Sequence, residues 1–325
     1  MRAVAFTEIG GPEVLRLLDA PDPQPGPGDV RIRVSVSGVN FRDVGVRRYG
    51  RNEGRNVPNP VVTGIEAAGV IESVAAGVGN WQVGERVATI CPGGGYGDLV
   101  VVPAARAIRL PDSISDEVGG TFGMTGFTAW HLLHTAAKIQ PGDTILVHAA
   151  AGGVGIMLSQ IAKRSGVTII GTVGSDAKME TAKRFGADHV INYQRENFAE
   201  AAREITGGRG VDAIFDAVGA TTCKDDVKAL RVFGKLVSFG RASGPPELGI
   251  EELQPKSLQW AYFGVFNAWQ QPEVWDRGVA NLVPLIASGA VDPYITQSYP
   301  WEQAPQAHRR LEGRETQGKL ALRHA

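Results

Sequence analysis

The 325-residue chain balances 33 lysines and arginines against 34 acidic residues, a net charge of −1. That balance excludes the basic surface of a nucleic-acid binder or of a protein held on anionic membranes. Two cysteines, Cys91 and Cys223, are too few for a disulfide framework or a four-cysteine zinc lobe, while 43% hydrophobic residues over this length suffice for two cores.

Met1 to Phe6 reads as an alternating strand rather than a signal peptide, and no apolar run is long enough to span a bilayer. A cytoplasmic protein is expected. Asp22 to Gly28 is a proline-rich turn ahead of Val30–Val36, which alternates with period two. Ser37 to Val44 follows that strand, and Asp43 is placed to cap a helix. Gly64–Val74 and Glu85–Ile90 are further strands. Residues 1–124 are therefore expected to form a mostly antiparallel β-domain. A helix over Thr121–Leu133 leads out of it.

The next stretch changes character. Ile145-Leu146-Val147 is a short apolar strand, followed by the small-residue turn Ala149 to Gly155 and a helical run from Ile156 to Lys163. Bare backbone at Gly152, Gly153, Val154 and Gly155 lets a pyrophosphate approach the N–H groups that open the helix. Ala150 stands where the first glycine of the dinucleotide fingerprint belongs. Strands at Thr168–Val173, His189–Tyr193, Val211–Asp216 and Lys235–Phe239 alternate with helices at Asp176–Phe185, Phe198–Ile205 and Val227–Leu230. That order predicts a doubly wound parallel α/β sheet. A helix over Val274–Ser288 and a strand over Gly318–Leu322 close the chain, which is expected to return to the first domain. The expected division is 1–124, 125–260 and 261–325.

The second strand of the nucleotide unit ends in Gly174-Ser175, with no carboxylate there to hold a ribose 2′-hydroxyl. NADPH is therefore favoured over NADH. Asp176 is read as the N-cap of the following helix.

Asn40-Phe41-Arg42-Asp43, Gly64-Ile65-Glu66, Gly84-Glu85-Arg86-Val87, Val147 to Gly155, Gly186-Ala187-Asp188, Ile191-Asn192-Tyr193 and Gly318-Lys319 together carry a resemblance that runs from end to end of the chain. It resembles the zinc-independent branch of the medium-chain dehydrogenase/reductase superfamily, the quinone oxidoreductase-like proteins. It is also similar to polyketide synthase enoyl reductase modules.

The resemblance implies a Rossmann domain inserted in a GroES-like domain, and an NADPH-dependent reductase of quinones or α,β-unsaturated carbonyls. Zinc-containing relatives carry cysteine and histidine at the positions of Asn40 and Ile65, and neither residue here is a plausible zinc ligand, so no metal is expected. It further implies that Lys178 and Tyr193 grip the 2′-phosphate beside Gly174 and Ser175. Asn40 and Thr128 would lie near the nicotinamide. The Phe239-Gly240-Arg241 turn, Phe263 and Lys319 complete the cofactor contacts, and Tyr49 is the candidate proton donor. Arg47, Arg48, Arg51 and Arg55 crowd one loop, either as solvated cations or as a funnel for an anionic substrate. A homodimer through an edge strand near Leu258–Phe263 is expected. Two other readings stand beside the leading one: an enoyl-thioester reductase, and a cofactor-binding protein with a structural role.

Overall fold

The structure is a computed structural model that describes residues 1–50 and 60–324. The first strands are β1 (Arg2–Phe6), β2 (Arg16–Asp19), β3 (Asp29–Gly38), β4 (Val61–Val62), β5 (Glu66–Val74), β6 (Arg86–Ile90), β7 (Leu99–Pro103) and β8 (Ile108–Arg109). The middle of the chain gives β9 (Thr144–Val147), β10 (Thr168–Val173), β11 (His189–Asn192), β12 (Val211–Asp216), β13 (Leu230–Ser238) and β14 (Gln259–Tyr262). The end gives β15 (Ile295–Pro300) and β16 (Lys319–Arg323). The helices that position functional residues are α1 (Phe41–Tyr49), α2 (Asp116–His131), α3 (Gly153–Lys163), α4 (Met179–Arg184), α5 (Phe198–Ile205) and α6 (Cys223–Ala229).

The chain divides into two units. Unit 1 holds Met1–Met124, Ile286–Ser288 and the chain from Pro293 onward; unit 2 holds Thr125–Leu285 and Gly289–Asp292. The crossing back thus comes at 286, not at the expected 261. β14 pairs in parallel with β13, which commits residues 259–262 to the nucleotide sheet. The helix over Pro272–Ala287 stays with that unit as far as Leu285, with the Trp275 ring 4.4 Å from that of Phe127.

Unit 1 contains a three-stranded sheet in the order β2-β1-β4 and a seven-stranded sheet in the order β15-β16-β3-β5-β6-β8, with β7 also pairing with β3. All pairs but β15–β16 are antiparallel. The period-two pattern of β3 sends Val30, Ile32, Val34 and Val36 into the core, where Ile71, Val87 and Val100 meet Val30 and Ile32. This is the mostly antiparallel GroES-like lobe. β2, β7, β15 and the helix over Ala304–Glu312 add to the elements read from the sequence.

Unit 2 is a six-stranded, all-parallel sheet in the order β11-β10-β9-β12-β13-β14. Ile145, Leu146 and Val147 of β9 are fully buried, as a central parallel strand covered on both faces requires. The order reverses between β9 and β12, the topological switch point outside which ligands bind in such sheets. β13 begins at Leu230, earlier than expected, because an irregularity opposite Val211–Ala213 admits extra residues.

Unit 1 also buries His308, whose Nε2 lies 3.2 Å from the Tyr96 hydroxyl. Burial, aided by the Arg47 charge, pushes this histidine down to about 3. An unfolded histidine titrates near 6.5, so the neutral side chain contributes stability above that pH, and the contribution is lost as pH falls from about 6.5 to 3. Urea titrations across that window should show His308→Phe flattening the acid limb by up to about 1.4 kcal/mol per pH unit, one proton's worth. An unchanged slope would refute the assignment.

Candidate active site

In unit 2 the turn between β9 and α3 is shaped for close backbone approach. Gly152 is the N-cap of α3 and supplies no side chain to cap it. The first-turn N–H groups therefore face outward with the positive end of the helix dipole. A Cβ on Gly155 would stand 2.5 Å from the Ala149 carbonyl oxygen, so only glycine lets the helix start so near the strand. Ala149 adopts a left-handed φ of 52°. Ala150, in the place of the first glycine, is buried with its methyl against Gly171 of β10, where an added Cβ would come within 2.7 Å. The missing glycine is compensated across the sheet.

His148 anchors this turn from below. Its Nδ1 lies 2.8 Å from the Thr172 hydroxyl on β10 and its Nε2 2.7 Å from Asp226 Oδ1 on α6. Burial opposes charge on the ring, but the Asp226 carboxylate outweighs it and raises His148 above the ordinary histidine range. Among the described residues, His148, Asp216 and Asp226 form the one group of three potential metal ligands. The oxygens of Asp216 already accept from the Val218 and Gly219 amides and the Thr222 hydroxyl.

At the carboxyl ends of β10 and β11, Gly174 and Tyr193 are brought together. A Cβ on Gly174 would lie 2.4 Å from the Tyr193 hydroxyl, so the tyrosine leans over bare backbone. Ser175, and not Asp176, caps the short 3₁₀ turn Asp176–Lys178 that precedes α4. This corrects the N-cap reading of Asp176. Its Oδ1 accepts from Asn192 Nδ2 at 2.8 Å and its Oδ2 is bonded to Arg195. Asn192 entered the sequence reading only as part of a strand and motif and Arg195 not at all, although a cation two residues beyond Tyr193 was the available signal.

Phe239 donates its amide to the Asp216 carbonyl, and Gly240 packs against Ala217, where a Cβ would be 2.4 Å from the carbonyl oxygen. Arg241 is exposed beyond them. Phe263 follows β14, donates its amide to Ser238 O, and stacks at 6.1 Å on His131. Thr128 is buried in α2.

In unit 1 the side chain of Asn40 is locked. Its Nδ2 donates to Glu66 Oε1 at 2.9 Å and to Gly38 O at 3.3 Å, and its Oδ1 accepts from Lys319 Nζ at 2.8 Å. Lys319 is 3% exposed and also donates to Glu66 Oε1 at 2.6 Å and Val39 O at 3.1 Å. Its three ammonium protons are thereby used, and one of them holds Asn40. Glu66 is the hub: its Oε2 accepts from the Met124 amide at 2.8 Å, and Gly38 leaves room for its carboxylate, which a Cβ would approach to 2.2 Å. Ile65 beside it is buried.

Asp43 caps α1, accepting from the Asn40 amide at 2.9 Å, and also accepts from Thr63, Gly64 and Tyr96. Burial, against the pull of the Asn40 amide, raises its carboxyl to about 6. Tyr49 closes the other end of α1, nine residues from Asn40, or about 13 Å along the helix, and is 71% exposed. The structure does not bring it beside Asn40. The arginine expectation also needs correction. Arg47 is fully buried, bonded to Gly10 O and to Glu312, so it is neither a solvated cation nor part of a funnel. Arg48 shares Glu312, while Arg51 and Arg55 lie outside the described residues. Cys91 is buried, and burial pushes its thiol up to about 12.

A GroES-like lobe in one unit and a dinucleotide-type parallel sheet in the other define the class of the medium-chain dehydrogenases and reductases. Two family models match in the corresponding places: alcohol dehydrogenase GroES-like domain over residues 26–112, and zinc-binding dehydrogenase over residues 153–281. The chain is 37% identical to a 2-haloacrylate reductase of Burkholderia sp over 292 residues, covering 88% of this chain and 87% of that protein. It is 35% identical to quinone oxidoreductase 1 of Escherichia coli, with 98% of each chain covered. The crystal structure of Escherichia coli quinone oxidoreductase complexed with NADPH matches with a TM-score of 0.94 at 34% identity, covering 99% of this chain and 100% of that one. The chain belongs to the quinone oxidoreductase-like family of the medium-chain dehydrogenase/reductase superfamily, and it is an oxidoreductase.

Proposed function

We propose that this protein is an NADPH-dependent reductase of quinones and activated α,β-unsaturated carbonyls that works without zinc. The carrying observation is the alignment of three features at the carboxyl ends of adjacent strands: the uncapped N-terminus of α3, the bare Gly174 under Tyr193, and Ser175 with Lys178 just beyond. This donor set fits a pyrophosphate at the helix and a phosphomonoester at the end of β10. The NADPH-bound Escherichia coli relative supports the choice of cofactor. Bound NADPH would supply the hydride. Gly152–Gly155 would hold its pyrophosphate, and Phe239–Arg241, Phe263 and Thr128 its nicotinamide end. Asn40 and Ile65 at the positions of zinc ligands in other relatives favour a metal-free reaction, with the Lys319 ammonium as the cation beside Asn40.

The test is steady-state NADPH oxidation with a quinone, an enone and crotonyl-CoA, alongside elemental analysis. Turnover of the first two, with no stoichiometric zinc and no loss on chelation, supports the proposal. Preference for crotonyl-CoA would favour the enoyl-thioester reading, and binding without turnover the structural one. Tyr49→Phe should leave quinone reduction unchanged, because the tyrosine is exposed and far along α1 from Asn40, and quinone protons can come from water.

β14 is the edge of the unit 2 sheet and exposes Gln259, Ala261 and Tyr262. An uncovered edge of this kind is a pairing surface, and we assign it to a homodimer in the cytoplasm. Among the described residues no helix is long and apolar enough to cross a membrane. Sedimentation at micromolar concentration should give a dimer for the wild type and a monomer for Ala261→Lys; a monomeric wild type would defeat the assignment.

A further inference from the structure

The geometry points to Asn192 and Arg195 as determinants of cofactor preference, acting by withdrawing Asp176 from the ribose site. This rests on the NADPH reading above. In parallel dinucleotide sheets an acidic residue near the end of the second strand accepts the ribose 2′-hydroxyl and repels a 2′-phosphate. This chain does carry such an acid, two residues past Gly174 in sequence. What distinguishes it is that both carboxylate oxygens are already engaged, one by Asn192 and one by Arg195.

The arrangement follows from the sheet. β10 and β11 run parallel with Val173 opposite Asn192, which sets Asn192 next to the start of the Gly174–Asp176 segment. Asn192 is 5% exposed, and its Oδ1 accepts from the Gln194 amide at 3.1 Å while its Nδ2 donates to Asp176 Oδ1 at 2.8 Å. Rotating the amide would break both bonds, so Asn192 is a fixed donor. The turn after β11 is closed by the Arg195 amide on the Asn192 carbonyl at 2.9 Å, which carries the Arg195 guanidinium to Asp176 Oδ2. Asp176 is thus held by a buried amide and balanced by a surface cation.

Two consequences meet at one place. Each carboxylate oxygen already accepts a hydrogen bond, so a 2′-hydroxyl must compete with Asn192 and Arg195 for the contact that favours NADH. Its charge is matched by Arg195, so an incoming 2′-phosphate meets the Lys178 charge without net opposition. The preference is therefore set by what restrains the acid as much as by the lysine.

Isothermal titration of NADPH and NADH into the wild type, Arg195→Ala, and the Asn192→Ala/Arg195→Ala double variant reads this directly. The wild type should favour NADPH. The double variant should lower the NADPH-to-NADH affinity ratio by at least about fivefold, with NADH binding strengthened, a size set by partly screened surface charge. Arg195→Ala alone, at an exposed position, should give part of that shift with an unchanged melting temperature. Adding Asp176→Asn to the double variant should return the ratio toward that of the wild type. A wild type that favours NADPH while the double variant keeps the same ratio would overturn this inference and leave the NADPH reading standing. A wild type that favours NADH would overturn both.

Discussion

Lys178→Ala should weaken NADPH binding by roughly ten- to a hundredfold and leave NADH binding nearly unchanged. A 2′-phosphate brings about −1.5 to −2 charges at neutral pH. Gly174 and Ser175 give it room, Tyr193 offers a hydroxyl, and Lys178 offers the charge. A charge-assisted hydrogen bond contributes about 1.5–3 kcal/mol, which sets the range. The site is partly solvated, so the preference should shrink as salt rises. Titration of both cofactors at two ionic strengths checks each part. Equal losses for NADH and NADPH would make Lys178 a structural residue.

The second large effect is expected at Lys319. Lys319→Met removes the cation from a buried carboxylate, leaving Glu66, among the described residues, with the neutral donors of Asn40 and Met124. Breaking a buried pair from one side costs about 3–5 kcal/mol. Urea unfolding should show a loss of that order, together with a fall in turnover as the Asn40 amide loses its orientation. Lys319→Met/Glu66→Gln should recover much of the stability, because no unpaired charge remains. A double variant no more stable than the single one would show that packing, not charge, explains the loss.

The nucleotide unit was legible in the sequence because each of its elements carries its own pattern. Ile145–Val147 is an unbroken apolar run, and Phe198–Ile205 is bounded by Asn197, whose side chain accepts from the Ala199 and Glu200 amides, and by Gly207-Gly208. The short strands β2, β7 and β15 were missed because they are defined by partners far along the chain, as β7 is by β3. The site divides the same way. Gly174 and Tyr193 could be paired from adjacent strand ends. Lys319 could not be placed, since its partners Asn40 and Glu66 lie more than 250 residues earlier. Nor could Arg47, whose burial depends on Glu312. Sequence position shows that a residue is charged, but only the folded chain shows which charge answers it. The boundary at 261 failed for a related reason: nothing local says that Gln259–Tyr262 is the last strand of one sheet instead of the first segment of the next unit.

The contact between Ala150 and Gly171 bears on how such chains are detected. The dinucleotide fingerprint is usually treated as three letters in a row. Here the vacancy it demands is shared between a loop and the strand beneath it, and the small residue is required only once across the two. Position 150 accommodates a methyl because Gly171 opposite it has none. Substitutions at the two sites should therefore be tied to each other through evolution, with a glycine at 150 freeing 171 to grow. A search that scores the loop by itself will undervalue every chain that has made this exchange.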